Sequence, residues 1–351
     1  MQDNIHVDNL IVGAGLAGVW TAFHLMQQNK SFALVDVPSQ NHSSRVAAGI
    51  YNPLLAKHQK RSYNADNLYP GLSEKYHEME HFVHEKFCHK HPVLYIIESL
   101  KEMNDWAALV EEEWFADFVM LHNERISDHI ISDFGYLEIL ESGWVDIPKM
   151  LDAFLHQVKS PNVYQELKFD ASKLEINENG FIYQNIKAKH IVFCQGTGMM
   201  ENPLTKDIPL KPAKGEILQI EANDPIEECI PQHGVFMLPI EENVFRVGSN
   251  FSWDELTETT TTEAKEEIVV KFTKWYKGAF EITKQVAGIR PSSLDRRPIL
   301  GRLKFHQNAF ILNGFGSKGV ALAPYYSKML TLFMYNEGNI DKDVDVSRIK
   351  Y

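Results

Sequence analysis

Only three cysteines, Cys88, Cys194 and Cys229, are scattered through 351 residues. So sparse and odd a set builds no disulfide framework and fits free thiols in a reducing compartment. No apolar run approaches the roughly 18 residues of a membrane span. The N-terminus carries neither a basic nor an apolar leader region, so no secretory signal is expected. Positive charge is scarce: 35 Lys and Arg stand against 47 Asp and Glu, for a net charge of −12. Polyanions and acidic membranes select the opposite balance, so neither nucleic acid nor membrane is an expected partner. Internal repeats, low-complexity stretches and long linkers are also missing. What remains is ordinary: 44% hydrophobic and 23% charged residues, as in cytoplasmic globular proteins. A chain this long suggests two domains or one composite, burying about three quarters of its unfolded surface without metals or disulfides.

The clearest local signal lies at the start. His6 to Val12 reads as a buried strand, followed by Gly13-Ala14-Gly15-Leu16-Ala17-Gly18 and a helical pattern to about Asn29. A second strand, Ser31 to Val37, carries Asp36 near its end. This is one βαβ unit. Helices are expected over Asp66–Cys88, within Glu102–Phe118, and over Lys149–Gln157, Glu263–Tyr276 and about Val320–Met334. Short strands are expected within 163–193 and 208–251 and at Phe310–Leu312, with Thr257–Thr262 a loop or cap. Such alternation predicts an α/β chain of two interleaved domains.

Four segments carry chemistry. In the first, Gly13 permits a tight turn, Gly15 close approach of a pyrophosphate, and Gly18 close helix–sheet packing. The helix start then offers free N–H groups to an anion. Asp36, eighteen residues past Gly18, can accept from ribose hydroxyls and disfavours a 2′-phosphate. This pattern does not choose between NAD and FAD. No second complete GxGxxG occurs, because Gly196-Thr197-Gly198 lacks the third glycine. The second segment, Ser43-Ser44-Arg45-Val46-Ala47-Ala48-Gly49-Ile50-Tyr51-Asn52-Pro53, suits a chain passing from phosphates to a flat ring; alone it also reads as a serine-rich loop. The third is Gly288-Ile289-Arg290-Pro291, with Asp295-Arg296-Arg297-Pro298 and Gly301 after it. The fourth is the turn Asn313-Gly314-Phe315-Gly316-Ser317-Lys318-Gly319, feeding another helix N-terminus.

In this order, from residue 7 to about 334, these segments resemble the FAD-dependent oxidoreductase family of D-amino acid oxidase and glycine oxidase. The stretch 43–53 is similar to the family's Ser/Thr-rich "VAAG" segment, and Gly143–Pro148 looks like its turn before a helix. The Gly-Ser-Lys-Gly turn also resembles the FAD domain of the bifunctional enzyme that modifies 5-aminomethyl-uridine in tRNA. The resemblance implies a Rossmann-like FAD-binding domain (1–88, 141–205 and 284–351) interleaved with a smaller α+β substrate domain (89–140 and 206–283). It implies non-covalent FAD, with Gly13, Gly15, Leu16, Ala17 and Gly18 at the pyrophosphate and Asp36 and Val37 at the adenosine ribose. Ser43, Ser44, Arg45, Ala47, Ala48, Gly49 and Ile50 would follow the ribityl chain and flavin. The backbone near Phe169 would meet adenine, and Cys194, Gln195 and Gly196 would close the far side. Gly314, Phe315, Gly316, Ser317, Lys318 and Gly319 would face the flavin pyrimidine edge, where the helix end stabilises negative charge.

Arg290 matches the family arginine that grips a substrate carboxylate, a task suited to a planar two-point fork. The alternative is a structural ion pair with Asp295 or another acid. Tyr51, Phe236 and Asn250 complete the expected substrate site, with Phe236 standing where glycine oxidase has a tyrosine. His77, His81, His84, Cys88, His89 and His91 lie beside an apolar helical stripe and read as a helix flank; no metal is expected. The implied activity is oxidation of a small amino acid or secondary amine by hydride transfer to flavin, imine hydrolysis and reoxidation by oxygen. Alternatives are a flavin dehydrogenase with another acceptor, a tRNA-modification-type oxidoreductase, or a non-catalytic flavoprotein. The oligomeric state is not legible.

Overall fold

Residues 4–37, 42–160, 162–223, 226 and 228–351 are described by a computed structural model. The strand β1 (Ile5–Val12) sits at the centre of a sheet, with Leu10, Ile11 and Val12 almost wholly buried. Its parallel neighbours are β2 (Phe32–Asp36) and the strand Ile186–Phe193. Tyr164–Glu166 extends the sheet beyond β2, and Ala309–Asn313 beyond Ile186–Phe193, both in parallel. Val12 is level with Val35 on one side and Phe193 on the other, and Phe193 with Ile311. The carboxyl ends of four strands therefore share one edge. Gly13, Asp36, Cys194 and the Gly314 turn all stand there, where open parallel sheets bind ligands.

Two helices begin at this edge. The helix α1 (Leu16–Gln27) is buried almost all round, with Val19, Trp20, Ala22 and Leu25 fully inside. It packs against the C-terminal helix Gly319–Met334. That helix continues through Pro324, whose ring nitrogen cannot bond the carbonyl one turn back. The Tyr76 hydroxyl donates to that carbonyl, Val320 O, at 2.8 Å.

A second eight-stranded sheet among the described residues runs, from one edge, through Phe280–Arg290, Ala213–Ala222, Val244–Gly248, Val235–Glu241 and Ile230–His233. It then continues through Val93–Ile96, Tyr136–Ile139 and Val119–His122. Its pairs are antiparallel except Ile230–His233 with Val93–Ile96. Helix Thr262–Trp275 covers one face, with Ile268 and Phe272 buried in the cluster beneath. The mixed α/β architecture is the expected one. The strand Phe280–Arg290 runs unbroken across residues 283 and 284, where the sequence placed a change of domain.

Some element boundaries differ from the sequence reading. The helix expected over Asp66–Cys88 divides into Ala65–Leu68 and Leu72–Val83, because Pro70-Gly71 interrupts it and Gly71 adopts φ +69°. His84 ends the second piece in a left-handed conformation, and Cys88–His89 is a short strand against Gly143–Val145. His81 and His84 are exposed, while His89 stacks on Trp144 at 4.4 Å. The stretch within Glu102–Phe118 likewise splits into Leu100–Leu109 and Glu113–Ala116. Helix Ile147–Gln157 starts earlier than expected, since Asp146 caps it by accepting from Lys149 N–H and Pro148 fits its first turn.

The glycine turn is held by a contact with no slack. A Cβ at residue 18 would lie 1.8 Å from Gly13 O, and backbone is what it meets. Gly18→Ala should therefore cost about 1–3 kcal/mol, as for overpacking in a close-packed interior. Urea unfolding measures this, and an unchanged midpoint would refute the argument.

Candidate active site

A single cleft of about 1150 Å³ runs from the edge of the first sheet to the strand Phe280–Arg290 of the second. It exceeds the roughly 300–1,000 Å³ of common small-molecule pockets. One end is the glycine cradle. Gly13 has φ +103°, and a Cβ there would meet Cys194 O at 2.4 Å. Gly15 precedes α1 without a capping side chain, so the first amides of the helix stay open; Leu16 N–H reaches only Ser44 Oγ, at 3.2 Å. Asp36 lines the same end, and burial holds its carboxyl above the usual range despite bonds from the Ala14 and Val37 amides.

The chain then turns through a short helix, α2 (Ser43–Val46), and runs as Ala47–Asn52 along the wall. Gly49 has φ +82°, and a Cβ there would fall 1.9 Å from Val145 O. Arg246, reaching from the second sheet, donates from Nη1 to Ala47 O at 3.4 Å. Opposite lie Cys194, Gln195, Gly196 and the turn Phe315–Gly319. Gly316 N–H donates to Pro291 O at 3.2 Å, which ties this turn to the segment after Arg290. Lys318 lies in the wall and donates to Ser62 Oγ. Burial lowers its ammonium from the ordinary 10.5 to about 8.

Arg290 stands at the other end. Its Nη1 donates to Lys214 O at 3.2 Å and Asn250 O at 3.4 Å, and its Nη2 to Ser249 Oγ at 2.8 Å and Asn250 O at 3.5 Å. Every one of these acceptors is neutral. Among the described residues no carboxylate pairs with it, and Asp295 is instead bound by Arg348 at 3.0 Å. Burial pulls the guanidinium down to about 10. The Phe251 ring lies 4.1 Å from its central carbon, and a Cβ at Gly215 would come 2.0 Å from Nη2. Tyr51 and Phe236 line the cleft as expected, and burial pushes the Tyr51 hydroxyl far up.

Six expected residues are not in the wall. Gly18 and Gly314 act from behind it, as packing and turn positions. Val37 is 42% exposed, past the end of β2. Arg45 pairs with Asp152 at 2.5 Å beside a small recess shared with Asp36 and Tyr164. Phe169 packs on Tyr183 at 4.8 Å and Phe193 at 5.8 Å, inside the cluster beneath the first sheet. Asn250 is buried, with its side-chain oxygen accepting from Glu216 N–H at 2.8 Å, and it serves Arg290 only through its carbonyl. Phe251, expected near the substrate beside Asn250, does line the cleft, as do Gly215, Ser249, Gln232 and His233, which had not been singled out. Their only sequence signal is proximity to strands of the 208–251 zone.

Close-packed glycines at Gly13 and Gly49, an uncapped helix start, the acid Asp36 at the end of β2 and the guanidinium of Arg290 at the far end together fit an extended dinucleotide with an anionic ligand beyond it. Comparison with known proteins agrees. The chain is 20% identical to the glycine oxidase of Bacillus subtilis (strain 168), over 96% of this chain and 95% of that protein. It is also 20% identical to the tRNA 5-methylaminomethyl-2-thiouridine biosynthesis bifunctional protein MnmC of Actinobacillus pleuropneumoniae, spanning 94% of this chain but 56% of that protein. The crystal structure of glycine oxidase from Geobacillus kaustophilus superposes with a TM-score of 0.81 over 99% of this chain and all of that one, at 16% identity. The family described as FAD dependent oxidoreductase matches residues 8–332, and the chain belongs to that family.

Proposed function

We propose that this enzyme oxidises a small carboxylated amine, an amino acid or secondary amine, with Arg290 gripping the carboxylate. The observation that carries the reading is a partly buried guanidinium in the cleft wall whose hydrogen-bond acceptors are all neutral. Burying an unpaired charge is costly, and a bound carboxylate would supply the missing counter-charge through a two-point grip. The glycine cradle, Asp36 and the 43–50 segment would hold FAD without a covalent bond, and when bound it would supply the hydride acceptor. Gly314–Gly319 would border its ring, with Lys318 and the helix start placing positive charge there.

The chain's own contribution is placement. Arg290 fixes one end of the substrate, and Tyr51, Phe236 and Phe251 bound the space beside it. Holding the amine-bearing carbon at a set distance is the larger part of such catalysis. The imine product is hydrolysed by water, and oxygen or another acceptor takes the electrons. The division into an FAD-binding part around the first sheet and a substrate part around the second belongs to the same reading. A net charge of −12 weighs against RNA as the substrate.

The test is an amine panel on the purified yellow holoenzyme, followed by anaerobic flavin bleaching and peroxide release. Bleaching by a carboxylated amine is the expected result, and peroxide release separates oxidase from dehydrogenase. Reduction only by hydroxy acids or nicotinamide nucleotides overturns the reading. Arg290→Ala should lower kcat/KM by about 2–5 kcal/mol, with Arg290→Lys also impaired because the planar fork is lost. FAD content and melting temperature should stay near normal. A destabilised variant with an unchanged reduction rate would return Arg290 to the scaffold.

Lys318 yields a pH prediction. Its folded-state value of about 8 lies below the ordinary 10.5, so the folded chain releases this proton first. The unfolded chain then holds more protons between those values, and stability rises with pH across that window. Flavin-free Lys318→Met should lose that rise. It should also be more stable at neutral pH by up to about 3 kcal/mol, the equivalent of the displaced titration. Chemical denaturation from pH 7 to 10.5 decides, and parallel curves for both proteins would show that the lysine is not buried as a charge.

A further inference from the structure

The segment 251–261 crosses the substrate end of the cleft, and residues 253–260 are all exposed. Two of its members, Phe251 and Glu258, line the cleft. All its anchors converge on one buried ion pair. Lys214 and Glu216 lie two apart on strand Ala213–Ala222, hence on one face, and each side chain is at most 2% exposed. At the near end Lys214 and Ser252 exchange backbone hydrogen bonds of 2.8 and 3.0 Å. In the middle Glu255 Oε1 lies 3.2 Å from Lys214 Nζ, itself 3.4 Å from Glu216 Oε1. At the far end the Glu216 carboxylate accepts from Thr261 N–H at 3.0 Å, Thr261 Oγ at 2.9 Å and Gln285 Nε2 at 2.7 Å. Thr261 caps the following helix by accepting from Ala264 N–H. The carbonyl of the same Lys214 accepts from Arg290, and Phe251 lies against the guanidinium.

We propose that Lys214 and Glu216 are positioning residues that hold this segment, and through Phe251 the guanidinium of Arg290, in the carboxylate-binding arrangement, with Glu255 as the latch. The proposal rests on the reading of Arg290 as the carboxylate anchor. Among the described residues Lys214 Nζ has no other hydrogen-bond partner, so the two carboxylates supply its counter-charge. Glu255 is half exposed, and removing its charge frees the middle of the segment while the buried pair stays intact. Substitution there should loosen ligand binding without disturbing the fold.

The holoenzyme and its variants Glu255→Gln and Arg290→Lys are titrated with acetate, an unreactive carboxylate, read from the flavin absorbance spectrum. Amide hydrogen exchange over 251–261 and melting temperature are measured on the same samples. Glu255→Gln should weaken acetate binding roughly two- to thirtyfold, the range for network substitutions outside a site. Exchange should quicken in 251–261 alone, with an unchanged melting temperature. With a reducing amine, KM should rise while the limiting rate of flavin reduction holds. Wild-type acetate affinity in Glu255→Gln overturns the proposal. No acetate binding to the wild type, or undiminished binding to Arg290→Lys, overturns the Arg290 reading itself and is told apart by that result.

Discussion

Gly13 O would lie 1.8 Å from any Cβ at residue 18, and Cys194 O 2.4 Å from any Cβ at residue 13. These two approaches press the start of α1 against the ends of β1 and Ile186–Phe193. Much else follows from that closeness. Open amides at the start of α1 face the same edge as Asp36 because β1 and β2 end level, Val12 beside Val35. Gly319 starts the C-terminal helix where a Cβ would meet Leu16 Cδ1 at 2.9 Å, so the second helix start is set by the first. Two positive helix ends at one sheet edge make an anion site from backbone alone.

The cleft's electrostatics oppose those of the whole chain. Against a net −12, it buries Arg290 and Lys318 among neutral acceptors, and dehydration lowers both. An acid beside either cation would cancel the field and make the protein more stable. Leaving them unpaired costs folding free energy and keeps the charge available to an anionic ligand. Arg246, also lowered by burial and bonded to Ala47 O, extends the pattern to the Ala47–Asn52 wall of the cleft.

What was legible in the sequence is what the chain builds locally. The βαβ unit and the Gly314–Gly319 turn were readable because spacing along one segment determines them, whereas Arg290 was reached through the family resemblance. Pro70-Gly71 was equally visible, yet apolar periodicity on both sides suggested one helix where the turn makes two. The surroundings of Arg290 were hidden for another reason. Gly215 and Ser249 reach it through the antiparallel pairing of Ala213 with Arg290 and of Ile217 with Gly248, across more than thirty residues of chain. Asn250 was placed near the site, but whether its side chain or its carbonyl faced Arg290 depended on that pairing. The ring of Phe169 belongs to the aromatic cluster of Tyr183 and Phe193, so at that position the backbone alone is left for the expected contact.

The long strand Phe280–Arg290 links the two sheets at the point where chemistry needs them registered. Its Gly288 packs on Val46, where a Cβ would come 3.0 Å from Val46 Cβ, so the strand bearing Arg290 rests on the helix leading into Ala47–Ile50. On the other side, Pro291 O receives Gly316 N–H from the Gly314–Gly319 turn. Arg290 is thus located by contacts to two segments that line the cleft, rather than by its own sheet alone. Hydride transfer tolerates little misplacement of the reacting carbon. A substrate anchor carried on an independently moving domain would meet that demand poorly. An anchor between Gly288, packed on the Val46 side chain, and Pro291, bonded through its carbonyl to Gly316 N–H, would meet it by being fastened on both sides to the walls of the cleft.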